Sequence, residues 1–160
     1  MGDQLSESCY SLLHLENSSR KNLVIILLTL DGGGFPRVCL LSPFQVLSTN
    51  RSEIYFEVYS DSHTRKNLEE RKKSTMIIPE ASGLLYVRGE TKHMEDLQTN
   101  GESQSLFSMK VIQVTNDISE AAPITSQMTF DVSVIGSKYQ RDFGALLARV
   151  KSIRNRDFKT

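Results

Sequence analysis

The stretch Ile54–Leu68, IYFEVYSDSHTRKNL, decides how this chain is read. Aromatic and β-branched residues fill the run up to Tyr59, with the acid Glu57 among them, which predicts a strand. Ser60-Asp61-Ser62 then breaks the strand with turn chemistry, and a short helix follows. The first amides of a helix have no internal partners. Ser62 and Thr64 add hydroxyls there, and His63, Arg65 and Lys66 add further donors, the last two cationic. Thr64 is the expected N-cap, with Glu69 and Glu70 favouring the first turn. Hydroxyls, amides and cations gathered at a helix N-terminus are the local chemistry of a phosphate site. Taken alone, the same residues also read as an ordinary helix cap beside two solvated cations.

The chain has 160 residues, the length of a single domain, and is treated as one over 1–160. Hydrophobic residues make up 39% and charged residues 24%, enough for a packed core. Its 19 basic and 19 acidic side chains cancel, so global charge draws it to neither nucleic acid nor an anionic membrane. Cys9 and Cys39 form no CxxC pair; two thiols in a reducing cytosol are favoured over a Cys9–Cys39 disulfide. No charged start precedes a long apolar run, so a cytoplasmic protein without a secretion signal is expected. The run Leu23–Leu30 is too short to span a bilayer and fits a buried strand.

Working outward, Gln4–Leu15 predicts a short amphipathic helix, and Asn17–Lys21 a turn. Leu23–Leu30 and Phe35–Phe44 read as a hairpin about Asp31-Gly32-Gly33-Gly34. Ser48–Ser52 reads as a polar turn, Glu53–Tyr59 as the third strand, and Asn67–Lys73 as a charged helix. Thr75–Ile78 and Leu84–His93 are further strands, and Met94–Gln104 a mobile loop. Leu106–Thr115 and Thr125–Ile135 complete the strands, and Tyr139–Ile153 closes the chain with a helix whose apolar positions recur at helical spacing. Near-regular strands with short flanking helices predict a mainly β (α+β) fold, a small antiparallel barrel.

The order of these motifs resembles the FMN-binding split barrels, the pyridoxamine 5′-phosphate oxidase-like proteins and their flavin reductase-like relatives. The family's Thr-Leu-Asp-Gly-x-Pro hairpin is matched by Thr29-Leu30-Asp31 through Pro36. Its serine turn and Asn-Leu helix start are matched by Ser62 and Asn67-Leu68, and its later Gly-acid step by Gly89-Glu90. The resemblance covers about residues 4–93. It implies FMN held between the two barrels of a homodimer, and a nicotinamide donor or small-molecule substrate. By position, the cofactor's phosphate would meet Ser62, His63, Thr64, Arg65 and Lys66. Its ring would lie near Cys39, Leu40, Leu41, Ser42, Val58 and Tyr59, of which Cys39, Leu40, Leu41 and Val58 would be core in any barrel. Cys39 and Phe44 stand near the places of the oxidase's second-strand arginine and lysine, Leu84 where its glutamine is expected, and its C-terminal substrate-binding arginines have no counterpart. The likeness therefore leans to the flavin reductase-like side and to an oxidoreductase of unknown substrate.

The alternative is a non-catalytic module that binds or senses flavin, deazaflavin or haem. An oligonucleotide-binding barrel is a third reading, disfavoured because the aromatics look internal. His14, His63 and His93 share no metal-ligand spacing, so no metal is expected. Ser42 and Ser62 lack a nucleophile elbow. The triple glycine lacks the spacing of a phosphate loop. Tyr59 and His63 are the nearest candidates for an acid or base. The basic tail from Arg149 to Lys159 fits a helix C-terminus.

Overall fold

A computed structural model describes residues 2–14, 22–81, 83–99, 101–131, 133–134 and 137–159, without the side chains of 99, 139 and 140. The chain order is α1 (Glu7–Leu13), β1 (Ile25–Leu30), β2 (Pro36–Leu41), β3 (Val46–Asn50), β4 (Glu53–Tyr59), α2 (His63–Arg71), β5 (Lys73–Pro79), β6 (Gly83–Thr99), β7 (Glu102–Ile118) and α3 (Ser137–Asp157). The strands form one antiparallel sheet in the order β2-β1-β5-β6-β7-β4-β3. A single buried cluster draws residues from all seven strands: Leu27, Leu41, Val46, Phe56, Met76, Val87 and Phe107 among them. A sheet whose strands all send side chains to one cluster must curl around it, which bears out the expected mainly β barrel with flanking helices.

Period-2 alternation sets the register. In β1, Ile25, Leu27 and Thr29 point inward, while Ile26, Leu28 and Leu30 are less buried. Leu28 lies opposite Val38 on one side and Thr75 on the other, so the outer face of β2-β1-β5 is largely apolar. The outer face of β3-β4-β7 is different. There α3 packs Phe143, Leu146, Val150 and Ile153 onto Leu47, Tyr55 and Leu106 as a second core. One half of the sheet is thus covered by the chain's own helix.

Several expectations are corrected. Met94–Gln104 is not a loop: β6 runs to Thr99 and β7 begins at Glu102, with Gly101 at φ +83° in the tight turn. Its polar residues make ion pairs across the sheet faces, which is why the composition misleads. Ser48–Ser52 hides a strand: Ser42-Pro43 ends β2 in a 3-10 turn over Pro43–Gln45, β3 takes Val46–Asn50, and the turn is Arg51-Ser52. Glu53–Tyr59 is therefore the fourth strand. The charged helix begins earlier than expected, at His63. Among its described residues Thr125–Ile135 forms no strand but an isolated antiparallel bridge, Leu23 to Thr129, with Val24 N donating to Met128 O and Phe130 N to Asn22 O. Val132 and Ile135 in that stretch, and the expected turn Asn17–Lys21, lie outside the described residues. Both cysteines are free thiols. Among the described residues no helix is long and apolar enough to cross a membrane.

Candidate cofactor site

At the end of β4 the backbone turns through Ser60–Ser62 into α2. Ser62, not Thr64, is the N-cap: its Oγ accepts from Arg65 N at 3.1 Å and donates to Tyr59 O at 2.7 Å. Thr64 is displaced from that role because the helix starts one residue before it. It is buried, and its hydroxyl bonds the Cys39 thiol, which desolvation pushes up while Thr64 and Arg37 pull it down. Thr64, Asn67 and Leu68 share the buried face of α2, as a spacing of three and four dictates. Asn67 Nδ2 donates to Thr29 Oγ1 at 3.1 Å and ties the helix to β1. Glu69 and Glu70 fall outside the first turn; they pair with Arg65 at 3.1 Å and Lys66 at 3.9 Å.

The charges at this corner form a closed network. Arg65 Nε donates to Ser105 Oγ at 3.0 Å, and its Nη2 reaches Asp96 Oδ2 at 3.4 Å and Glu69 Oε1 at 3.1 Å. Ser105 is buried and gives its one hydroxyl proton to Asp96 Oδ1 at 2.6 Å, so Ser60 must be the donor in the 2.8 Å Ser60–Ser105 contact. His93 Nε2 meets the same Asp96 oxygen at 2.9 Å. The bonds from Ser105 and then His93, with help from the nearby Arg65, hold the Asp96 carboxyl below the usual range. His63 and Lys66 are exposed.

The strand residues separate into two groups. Leu41 and Val58 are buried in the main core, and Cys39 packs against it. Ser42 is also buried; it caps the 3-10 turn by accepting from Phe44 N at 3.3 Å while Gln45 Oε1 accepts from Ser42 N at 3.0 Å. Leu40 and Tyr59, by contrast, are 46% and 49% exposed. They line one cavity of about 270 Å³ with Gln45, Glu57, Gln104 and the α3 residues Lys138 and Asp142. Sequence reasoning missed the last five. Glu57 alone left a signal, as the one acid inside the apolar run IYFEVY. It lies under α3, where Arg149 Nη1 pairs with it and Arg149 Nε meets Glu95 at 3.1 Å. Burial raises the Glu57 carboxyl even so, against the pull of Arg149. A wider groove of about 450 Å³ lies on the uncovered sheet face, lined by Leu28, Leu30, Pro36, Thr75, Arg88 and Ile112 among others.

No protein-family model matches the chain, and no curated protein does. Solved structures do. A pyridoxamine 5′-phosphate oxidase-like protein from Lactobacillus delbrueckii superposes with a TM-score of 0.55 at 14% identity, over 71% of this chain and 95% of its own. The fold is the split barrel. An F420 reductase gives a TM-score of 0.52 at 12% identity, over 69% of this chain and 98% of its own. HupZ from Group A Streptococcus gives 0.54 at 12% identity, over 79% and 98%. At these identities the likeness establishes the split barrel itself, and what it carries must be argued from its residues.

Proposed function

We propose that the chain is a flavin-nucleotide-binding protein, with FMN as the cofactor, working as an oxidoreductase between two copies of itself. The observation that carries this is the placement of one strand's end. Tyr59 lines the 270 Å³ cavity with exposed Leu40, and three residues later Ser62 opens the N-terminus of α2. Leu40 and Tyr59 give an apolar strip to a cavity otherwise lined largely by polar side chains, and a ring with an anionic tail needs such a strip next to a helix start. The donor set fits that tail in kind. The first-turn amides of His63 and Thr64, with Lys66 and Arg65, would hold the phosphate. Asp96 and Glu69 already occupy the place of an anion on Arg65. Leu40 and Tyr59 would pack the ring and shield it from water. The bound flavin supplies hydride or electron transfer.

The partner in this reading is a second copy. Leu30, Val38 and Ile112 are exposed on the sheet half that α3 leaves bare, apolar surface that a second copy would cover. Three measurements test the proposal. Purified protein should carry flavin absorbance and mass, or take up FMN in a fluorescence titration; colourless protein indifferent to FMN refutes it. Light scattering with FMN present should give twice the chain mass. Rapid flavin reduction by NADH or NADPH supports an enzyme, whereas tight binding without turnover assigns a carrier or sensor. Deazaflavin F420 is the second ligand to titrate, given the F420 reductase among the similar folds.

A further inference from the structure

We infer that Asp96 and Glu69 form an internal counter-anion that an incoming phosphate monoester must displace from Arg65, so that Asp96 sets the affinity of the α2 corner for anionic ligands. The inference rests on the cofactor-binding reading and adds a restraint to it. Glu69 takes Arg65 as a fork, with Oε2 at 3.3 Å from Nη1 and Oε1 at 3.1 Å from Nη2. Asp96 approaches Nη2 from β6 at 3.4 Å. Neither acid is loosely placed. Asp96 is fixed from behind by Ser105 at 2.6 Å and His93 at 2.9 Å, and Glu69 is one helical turn from Arg65 on a helix anchored by Asn67.

The geometry divides the guanidinium into two parts. Nε belongs to Ser105, a buried neutral acceptor, which positions the group at the end of the barrel. The Nη atoms belong to carboxylates whose partly exposed side chains an external dianion can replace without unfolding anything. A ligand phosphate would gain Arg65 and give up two carboxylate pairings. That exchange lowers its apparent affinity while keeping the guanidinium aimed.

The test is a titration of FMN and of riboflavin, which lacks the phosphate, against the native chain, Asp96→Asn, Glu69→Gln, Arg65→Gln and the Asp96→Asn/Arg65→Gln double variant. Circular dichroism checks folding. Asp96→Asn keeps an acceptor for Ser105 and should tighten FMN by about threefold or more, the scale of one partly exposed charge pair. Glu69→Gln should act in the same direction, and riboflavin should not respond. In the Arg65→Gln background the gain from Asp96→Asn should vanish, because the effect runs through Arg65. FMN affinity unchanged or weakened in Asp96→Asn overturns the inference and leaves flavin binding standing. An equal gain with and without Arg65 overturns it too, since it would reflect net charge alone. Failure of every form to bind FMN removes the cofactor reading itself.

Discussion

Replacing Arg149 by Met tests the most buried ion pair among the described residues. Arg149 reaches from α3 to the outer sheet face and bridges Glu57 on β4 with Glu95 on β6; Leu106 of β7 sits between them in register. Glu57 is 8% exposed and Arg149 9%, so neither is hydrated enough to stand alone. Breaking one partner of such a pair costs about 3–5 kcal/mol, because a carboxylate is left buried without compensation. For a chain of this length that is a fall of about 6–20 °C in Tm. The loss must also depend on pH. Burial raises the Glu57 carboxyl, and the charge and hydrogen bond of Arg149 oppose the rise. A raised carboxyl contributes stability that is present below its ordinary titration range and lost as pH rises through the raised value. Without Arg149 the carboxyl rises further, so Arg149→Met should lose most at pH 7 and progressively less toward pH 5. Adding Glu57→Gln should recover much of the deficit at pH 7. Urea unfolding followed by circular dichroism at the two pH values measures all of this. A loss under about 1 kcal/mol at pH 7, or one equal at both pH values, would show that the bridge is not the buried pair described.

Ser62→Ala should cost about 1 kcal/mol through the lost N-cap, and the same measurement on Thr64→Val should reveal a core position instead of a cap. Gly89→Ala should destabilise strongly or prevent folding, because its Cβ would stand 2.3 Å from Met109 Cγ and 2.6 Å from the Lys110 carbonyl; soluble yield and thermal unfolding check it. In the native protein a thiol reagent should modify half-buried Cys39 first, while Cys9, pushed up to about 12 mainly by desolvation, should react only on unfolding; peptide mass mapping over time separates them.

What the sequence disclosed follows the physics of each segment. Ile54–Tyr59 is legible because β-formers fill it, as suits a strand buried on both faces, and the following turn because Ser62 is a strong cap. Ser62 and Thr64 both offer a capping hydroxyl, so the sequence does not choose between them; the packing of α2 on Cys39 and β1 does. Val46–Asn50 was hidden because VLSTN is short and follows a Ser-Pro break that looks like the end of structure. Thr125–Ile135 has strand-like composition, but among its described residues the pairing is one isolated bridge at Thr129 with a few flanking hydrogen bonds to Asn22, Val24 and Glu80, not a strand of the sheet. The family resemblance names Leu40 and Tyr59 by position, and both line the cavity beside α3. Gln104, Lys138 and Asp142 carry no mark in the sequence, because their meeting depends on where α3 settles.

The misread segment Met94–Gln104 shows why polarity is a poor guide to order in a barrel. Glu95 and Asp96 are neighbours in a strand, so their side chains leave by opposite faces. Glu95 goes outward to Arg149 of α3, and Asp96 goes to Arg65 of α2. Two helices from distant parts of the chain therefore clamp consecutive residues of one β-arm, each through an arginine. A segment held this way needs few apolar side chains of its own to stay ordered. It also places the two clamps in mechanical series. The backbone that positions Asp96 against the candidate anion site is the backbone that Arg149 pins through the Glu95 carbonyl, at 3.3 Å from Nη2. Loss of the buried α3 bridge should therefore loosen Asp96 and alter anion affinity at α2, whereas loss of the more exposed Arg65 pairing should leave α3 docked. The asymmetry follows from burial: Arg149 has no water to fall back on, and Arg65 has.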